Sequence, residues 1–413
     1  MFEYFRNAYG RLLTSVFEPV AAWVLSQSLP KRIFILLVIS GCIAIWNYPA
    51  ATKQAGAYSL RAFRILLADS NVIPLDENLR ARILAVRSRL AAANINDVNM
   101  LATGDMTGWS AAQALLATGR QGKPSIEEEK LIQYIHATRL PACNCWAELN
   151  SDDQRQAWTF VTGWVLTALA SKHQAASEGE LAFLLRQQNP DGSWTSIPAQ
   201  GLIEYASVFA TSWSIIGLHE QLTAGLITDE AVAKKMSDAI QRGAEWLAQK
   251  RQSNARWKAY PNLQSNSESD SLSGLAVHAL HITRPDLIGE IYEDWLDNLP
   301  QSPVPASLGE NTYVEIKRVG TVQIDHFVQL KMPWMLIATV DAYGNGSIFQ
   351  KVRALTWIER TLSHESIKNA DTEPKNWWRA ELLIALNYVL QHAQAGHGRQ
   401  ASLSTRRSRS ATA

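Results

Sequence analysis

Short apolar runs alternate with charged, amphipathic ones along most of this chain. Residues 109–117 (WSAAQALLA), 164–170 (WVLTALA), 213–218 (WSIIGL) and 275–280 (LAVHAL) carry no charge, and each follows a small signature: Thr107-Gly108, Thr162-Gly163, Thr211-Ser212 and Ser273-Gly274. The signatures are spaced 55, 49 and 62 residues apart. Residues 327–342 and 377–391 fit the same apolar type without the signature, which makes six apolar helices. Between them, residues 77–92, 126–138, 178–188, 230–250, 285–298 and 349–363 have the spacing of half-exposed helices. Wholly apolar helices paired with one-sided ones predict a ring buried on all sides inside a ring that faces water. One helical hairpin cannot bury its own apolar face, and no polar capping sequence stands at either end, so the pairs are expected to close on themselves. The expected fold is all-α: an α/α toroid of six hairpins over residues 95–392, reached through connecting helices in residues 53–94.

Two segments break the pattern. Residues 300–323 hold Pro300, Pro303, Pro305, Gly309 and Gly320 with the alternating stretch TYVEIKRVGTVQ, which predicts a short β-hairpin inserted over one mouth of the toroid, a lid or docking loop. Residues 393–413 are rich in Ser and Arg and are expected to be a disordered basic tail.

Residues 33–52 form a different kind of run, twenty residues without a charge and long enough to span a bilayer. Lys31 and Arg32 precede it, with Arg6 and Arg11 upstream, and Trp46 and Tyr48 stand at its far end. This predicts a single anchor in the inner (plasma) membrane with residues 1–32 cytoplasmic and the body outside, against the weaker opposing charge of Lys53, Arg61 and Arg64. A cleaved signal peptide is the competing reading, but the apolar run starts late, behind Glu3 and Glu18, and lacks a clear small-x-small site. Residues 12–25, interrupted by Glu18 and Pro19, read as an interfacial helix.

Composition narrows the class. With 39 Lys+Arg against 38 Asp+Glu the chain has no basic bias that would suggest nucleic acid, and 3 Cys in 413 residues exclude a disulfide scaffold. The 15 Trp residues are explained first by the repeat, which reuses Trp at recurring positions.

Residues 179–194 read GELAFLLRQQNPDGSW. The run resembles the QW motif of the terpene cyclase and protein prenyltransferase families, as in squalene cyclases, with Gly179, Phe183-Leu184, Gln188, Gly192 and Trp194 at the motif's spacing. A degenerate copy keeps Gly243, Trp246-Leu247 and Trp257, with Ala255 in place of the glycine, and Trp357-Ile358 is a third trace. The resemblance implies an α/α toroid in which the motif ties an outer helix to the next inner one. The motif is structural and implies no reaction.

The families' chemistry is missing. There is no DxDD acid, no DDxxD and no recognisable zinc signature, and GxSxG, HExxH, P-loop and GxGxxG patterns are absent as well. Glu268 and Asp270 stand where an acid pair would, just before an apolar helix, though helix capping explains them as well. Cys143 and Cys145, with the distant Asp325-His326 opening a repeat helix, are weak metal candidates. The two cysteines are otherwise a tight disulfide or buried small groups. No cofactor is expected. If the toroid closes, Trp109, Trp146, Tyr205, Trp213, Glu268, Asp270, Asp325, His326, Trp377, Trp378 and Arg379 gather at one mouth, suited to an isoprenoid or to a glycan. His278, on the apolar face of LAVHAL, is either a core histidine or a cavity residue.

The expected function is a non-catalytic, membrane-anchored scaffold or binding module of a cell-envelope assembly, partnered with the membrane through 33–52 and with other envelope proteins, and not with nucleic acid. The alternative is an enzyme acting on an isoprenoid or glycan-lipid in the toroid cavity. The anchor is checked directly by truncation: a chain beginning at Ala55 is expected to remain in the supernatant without detergent, and sedimentation with membranes would refute a single anchor at 33–52.

Overall fold

The computed structural model of the chain describes residues 49–69, 71–98, 106–119, 124–147, 157–198, 203–263, 268–318 and 321–409, with backbone alone at 49–55, 95–98, 313–327 and 394–409. The interfacial segment, Cys42 and nearly all of the expected anchor lie outside these residues. Among the described residues no helix is long and apolar enough to cross a membrane. Contacts divide the chain at Leu67–Ala68. The first unit contributes one described helix, α1 (Pro49–Leu67).

The second unit is mostly helical. In chain order it holds α2 (Glu77–Val98), α3 (Gly108–Ala117), α4 (Ile126–Ala137), α5 (Thr159–Ala170), α6 (Glu178–Arg186), α7 (Val208–Thr223), α8 (Glu230–Gln249), α9 (Asp270–Thr283), α10 (Gly289–Asp297), α11 (Lys331–Tyr343), α12 (Ile348–Leu362), α13 (Glu365–Lys368) and α14 (Asn376–Arg409). Two antiparallel hairpins complete it, β1 (Trp257–Lys258) with β2 (Glu268–Ser269) and β3 (Gly309–Arg318) with β4 (Thr321–Leu330). The charged helices start where capping chemistry starts them. Ser125, Ser177 and Ser347 form capping boxes with Glu128, Glu180 and Gln350, and Asp229 accepts from two amides of α8.

The apolar helices pack in a cyclic order. α3 lies on α5, α5 on α7, α7 on α9, α9 on α11 and α11 on α14, and α14 returns to α3. Every residue of α5 and nearly every residue of α11 is buried. The charged helices pack outside this cycle: α2 on α14, α4 on α3, α6 on α5, α8 on α7 and α9, and α10 and α12 on α11.

A single device, used three times, joins the two kinds of helix. The indole N–H groups of Trp146, Trp194 and Trp257 donate to the carbonyls of Ile135, Leu184 and Leu247 in the last turns of α4, α6 and α8, at 2.7, 2.8 and 2.7 Å. Their backbone amides donate to the hydroxyls of Thr162, Thr211 and Ser273, at 3.4, 3.0 and 2.8 Å. Those hydroxyls belong to the first residue of each repeat signature. The chain then doubles back, with Trp158 donating to the Trp146 carbonyl, Ser207 to that of Trp194, and Ser269 pairing with Trp257. All three indoles are fully buried, so each Trp fills the joint and its N–H finds its acceptor in a helix-end carbonyl, which also accepts from the Thr138 hydroxyl, the Gln187 amide or the Lys250 amide. The Thr107 copy differs: its hydroxyl caps α3 instead.

The turn with the QW resemblance extends the tie to the next charged helix. Gln188 Nε2 donates to the carbonyls of Gly192 and, in α8, Ala239, at 2.9 and 2.8 Å. Trp246 donates to Asp191 at 3.0 Å. Gly192 holds φ 94°, and in the degenerate copy Ala255 holds φ 53° at the same place.

Where apolar helices meet closely, glycine makes room. A Cβ on Gly163 would lie 2.3 Å from the Trp213 carbonyl oxygen, and one on Gly274 would lie 2.5 Å from the carbonyl carbon of Trp334. These approaches bring three indoles together: Trp164 stacks on Trp213 with centroids 3.7 Å apart, and both meet the edge of Trp334, at 5.9 and 5.3 Å.

Two expectations are corrected. The inserted hairpin is longer than residues 300–323 and runs to Leu330, because the period-two alternation continues through TVQIDHFVQL, so the helix expected from residue 327 begins at Lys331. The last helix does not stop at residue 391. The backbone is helical to Arg409, across Gly396 and Gly398, in the Ser- and Arg-rich segment where a disordered tail was expected.

Glycine at the α5–α7 contact is a sharp test of this packing. Gly163→Ala is expected to lower unfolding free energy by about 1–3 kcal/mol or more, while Gly289→Ala, whose Cβ would meet nothing within 4 Å, should stay within about 0.5 kcal/mol of the parent. Urea unfolding of both variants measures the contrast, and equal losses would refute the close approach.

Candidate functional site

The residues singled out from sequence are spread around the N-terminal ends of the apolar helices, and most are engaged there structurally. Trp109, in the first turn of α3, meets Phe160 edge-on with centroids 5.2 Å apart. Trp146 is the α4–α5 tie, Trp213 belongs to the indole cluster within α7, and Tyr205 sits half-buried in a 3₁₀ turn, Ile203–Tyr205. Trp377 and Trp378 open α14 edge-to-face at 5.4 Å, with the Lys375 ammonium 4.7 Å from the Trp378 ring, and Arg379 donates to the Glu373 carbonyl. Asp325 and His326 do not open a helix: they pair with Val314 and Tyr313 inside the hairpin, because the strand alternation runs through them.

Glu268 and Asp270 are held apart by different partners. Glu268 is exposed and accepts from Asn254 at 2.9 Å. Asp270 is paired with Arg256 at 3.0 Å and Lys331 at 3.2 Å, and the buried Arg256 guanidinium lies 4.5 Å from the Trp295 ring centre. The carboxylate that meets the α9 N-terminus is Glu310, which accepts from the amides of Asp270 and Ser271 and the hydroxyls of Ser269 and Ser271 at 2.7 to 3.2 Å. Glu310 completes a helix cap with charges balanced by Arg256 and Lys331.

Cys143 and Cys145 are joined as a disulfide, Cα atoms 5.3 Å apart, in a loop where Asn144 adopts φ 54° and packs on Gly179. Neither sulfur is then a thiolate available to a metal. No group of three or more His, Cys, Asp or Glu among the described residues is arranged to hold a metal ion.

A cavity of about 520 Å³ opens at the opposite, C-terminal ends of the apolar helices, and all six of them line it. Trp213 and Trp334 form aromatic wall, and Leu116, Ile216, Ile282, Ile337 and Ile384 also line it. Polar groups come from four helices: Thr167 of α5, His219, Glu220 and Thr223 of α7, His278 of α9, and Asn387, Tyr388 and Gln391 of α14. His278 of α9 lines the cavity and shares a hydrogen bond through Nδ1 with Asp341 of α11, at 2.9 Å. Tyr388 of α14, also lining the cavity, donates its hydroxyl to the same carboxylate. His281, one turn along from His278, brings Nε2 within 3.6 Å of Asp341 and shares its Nδ1 with the Tyr292 hydroxyl.

This cluster sets its own charge state. Burial alone would raise the Asp341 carboxyl, but His278, His281 and the Tyr388 hydroxyl together hold it below its ordinary value, so it is ionised. Burial, opposed by Asp341, leaves His281 below the ordinary histidine value, and burial beside Asp341 pushes the Tyr292 hydroxyl up. Glu381, on α14, has the opposite fate. It is fully buried and receives hydrogen bonds from Gln113 and Trp334 at 2.9 and 3.3 Å, but burial outweighs them and pushes its carboxyl up to about 8. At neutral pH Glu381 is a protonated acid among the apolar helices.

No family model matches this chain, and no curated protein does.

Of the cavity's lining, His278 and Trp213 were singled out from sequence. Asp341, Glu381 and Tyr388 carried one legible signal, a charged or polar side chain at a buried position of an otherwise apolar helix, as in LIATVDAY.

Glu381 generates a pH prediction. Its pKa is raised from 4.5 to about 8 by the fold, so its favourable contribution is complete below about pH 4.5 and is lost as pH rises toward 8. Between pH 6.5 and 8 this lowers stability by about 2 kcal/mol. Glu381→Gln is expected to flatten that slope in urea unfolding at the two pH values, and an unchanged slope would show that Glu381 is already ionised in the fold.

Proposed function

We propose that this protein is a membrane-tethered α/α toroid acting as a binding module in a cell-envelope assembly, with a small ligand held in the cavity at the C-terminal ends of its apolar helices. One observation carries the reading: a cavity of about 520 Å³ lined by all six apolar helices, within the size range of small-ligand sites and mixing an aromatic, aliphatic wall with polar groups from four helices. The cyclic helix order, with α14 packed on α3, supports the toroid, and the QW-like turn supports the kinship of fold with terpene cyclases and prenyltransferases. The uncharged run at 33–52 supports the tether, a cytoplasmic N-terminus and an extracytoplasmic body that meets other envelope proteins.

A second reading, an enzyme acting on an isoprenoid or glycan-lipid, has one specific observation in its favour. The His278–Asp341 pair on the cavity wall has the form of an oriented general base. Against it, Glu268 and Asp270 are already committed to Asn254 and to Arg256 and Lys331.

Filling the cavity separates a ligand site from an inert gap. Ile337→Trp is expected to abolish recovery of a bound small molecule by native mass spectrometry of the full chain, with the thermal transition within a few degrees of the parent. Equal recovery from both proteins would overturn the cavity as the site. Full cellular function in a His278→Gln protein that still binds its ligand supports the binding module, and lost function with binding retained supports the enzyme.

A further inference from the structure

We infer that the cavity is one part of a two-part site whose ligand is an amphiphile, with an apolar body in the cavity and a neutral polyhydroxyl head, a sugar, in the groove beside it. The inference rests on the binding-site reading above and adds a second subsite and the chemistry of the head. The groove, of about 420 Å³, lies at the C-terminal ends of α7 and α9 against the middle of α8. It shares His219 and Thr223 with the cavity. These two residues stand one turn apart on α7, and Thr223 is exposed, so cavity and groove open side by side on one rim. A ligand lying over that rim reaches both.

The two parts differ in what they offer. The cavity gathers the large apolar side chains: Trp213, Trp334, Leu116 and four isoleucines. The groove has only Leu222 and Ile240 of that kind, and its other six lining residues, His219, Thr223, Ser237, Gln241, Thr283 and Arg284, carry hydrogen-bonding groups. The hydroxyls of Thr223 and Thr283 donate to the carbonyls of His219 and Ala279, at 3.0 and 2.6 Å, which makes their oxygens acceptors. Gln241 donates through Nε2 to Glu245 at 3.0 Å, and its amide oxygen is an acceptor too. The charge of Arg284 is met by Asp286 at 2.7 Å and Glu245 at 3.3 Å, so an anionic head would have to displace a carboxylate. A sugar needs no such exchange, because each of its hydroxyls both donates and accepts. Ser237 and Gln241 are exposed, so the outward hydroxyls of the head stay in water while the apolar body leaves it.

Five probes separate the two parts: hexyl β-glucoside, its halves 1-hexanol and methyl β-glucoside, and the charged hexyl phosphate and hexylammonium. They are titrated against the full chain in lipid nanodiscs by saturation-transfer NMR, with empty nanodiscs as blank. Hexyl glucoside is expected to bind at least about tenfold tighter than either half, because joining the halves makes the second contact intramolecular, and tighter than both charged probes. Ser237→Trp, which fills the groove from an exposed position on α8, is expected to lower hexyl glucoside to the affinity of hexanol and to leave hexanol unchanged. Equal binding of hexyl glucoside and hexanol, a charged probe binding tightest, or a glucoside affinity that Ser237→Trp leaves unchanged overturns the inference while leaving the cavity standing as a site. Binding of no hexyl probe, or hexyl contacts that survive Ile337→Trp unchanged, overturns both.

Discussion

The bond from a buried indole N–H to the last turn of a charged helix is the constraint on which this architecture depends. A buried indole N–H needs an acceptor, and water is not there to supply one. Trp146, Trp194 and Trp257 each find it in a last-turn carbonyl and fill the joint with the largest side chain available. Their backbone amides then reach the hydroxyls of Thr162, Thr211 and Ser273 on the next apolar helix, so one residue sets both ends of the connection. The remaining positions of the signature follow from this placement. Once the hydroxyl is fixed, the residue after it falls against the neighbouring apolar helix, and at Gly163 and Gly274 only the absence of a Cβ allows the approach.

Tight helix contacts at one level leave the cavity at another. Trp164, Trp213 and Trp334 crowd together where α5, α7 and α11 approach, and they occupy space that a through-channel would need. Toward the C-terminal ends, Trp213 and Trp334 become wall, and the space between the six helices stays open. The polar groups there are arranged around one ionised carboxylate, Asp341, which is tolerated in a buried position because two imidazoles and a phenol surround it. Glu381 has only Gln113 and Trp334 as donors and resolves its burial by keeping its proton. Two acidic residues on apolar helices thus end in opposite states, and the difference lies entirely in their neighbours.

The two ends of the apolar helices carry different polar networks. At the N-terminal ends, Glu310, Arg256, Lys331 and Asp270 form a network that caps α9 and neutralises itself. At the C-terminal ends, Asp341 is engaged by His278, His281 and Tyr388, two of which also line the cavity.

The alternation of apolar and charged helices, the turn at Gln188–Trp194 and the hairpin within the proline-rich segment were legible in the chain, because periodicity, glycine and proline act over a few residues. Propagation is where local reading failed: the hairpin ran on to Leu330 because alternation continued past the punctuation, and the last helix runs on to Arg409 through Gly396 and Gly398. Glu268 and Asp270 stood out by spacing, yet their partners Asn254, Arg256 and Lys331 come from other turns and helices. Asp341 and Tyr388 are 47 residues apart in sequence and meet only because α11 packs on α14. By itself the sequence determined which segments are helices and which faces must be buried, since hydrophobic burial follows local pattern. Tertiary structure alone decided which polar groups share a cavity and which of them keep a charge, since burial and neighbouring charge depend on contacts between distant helices.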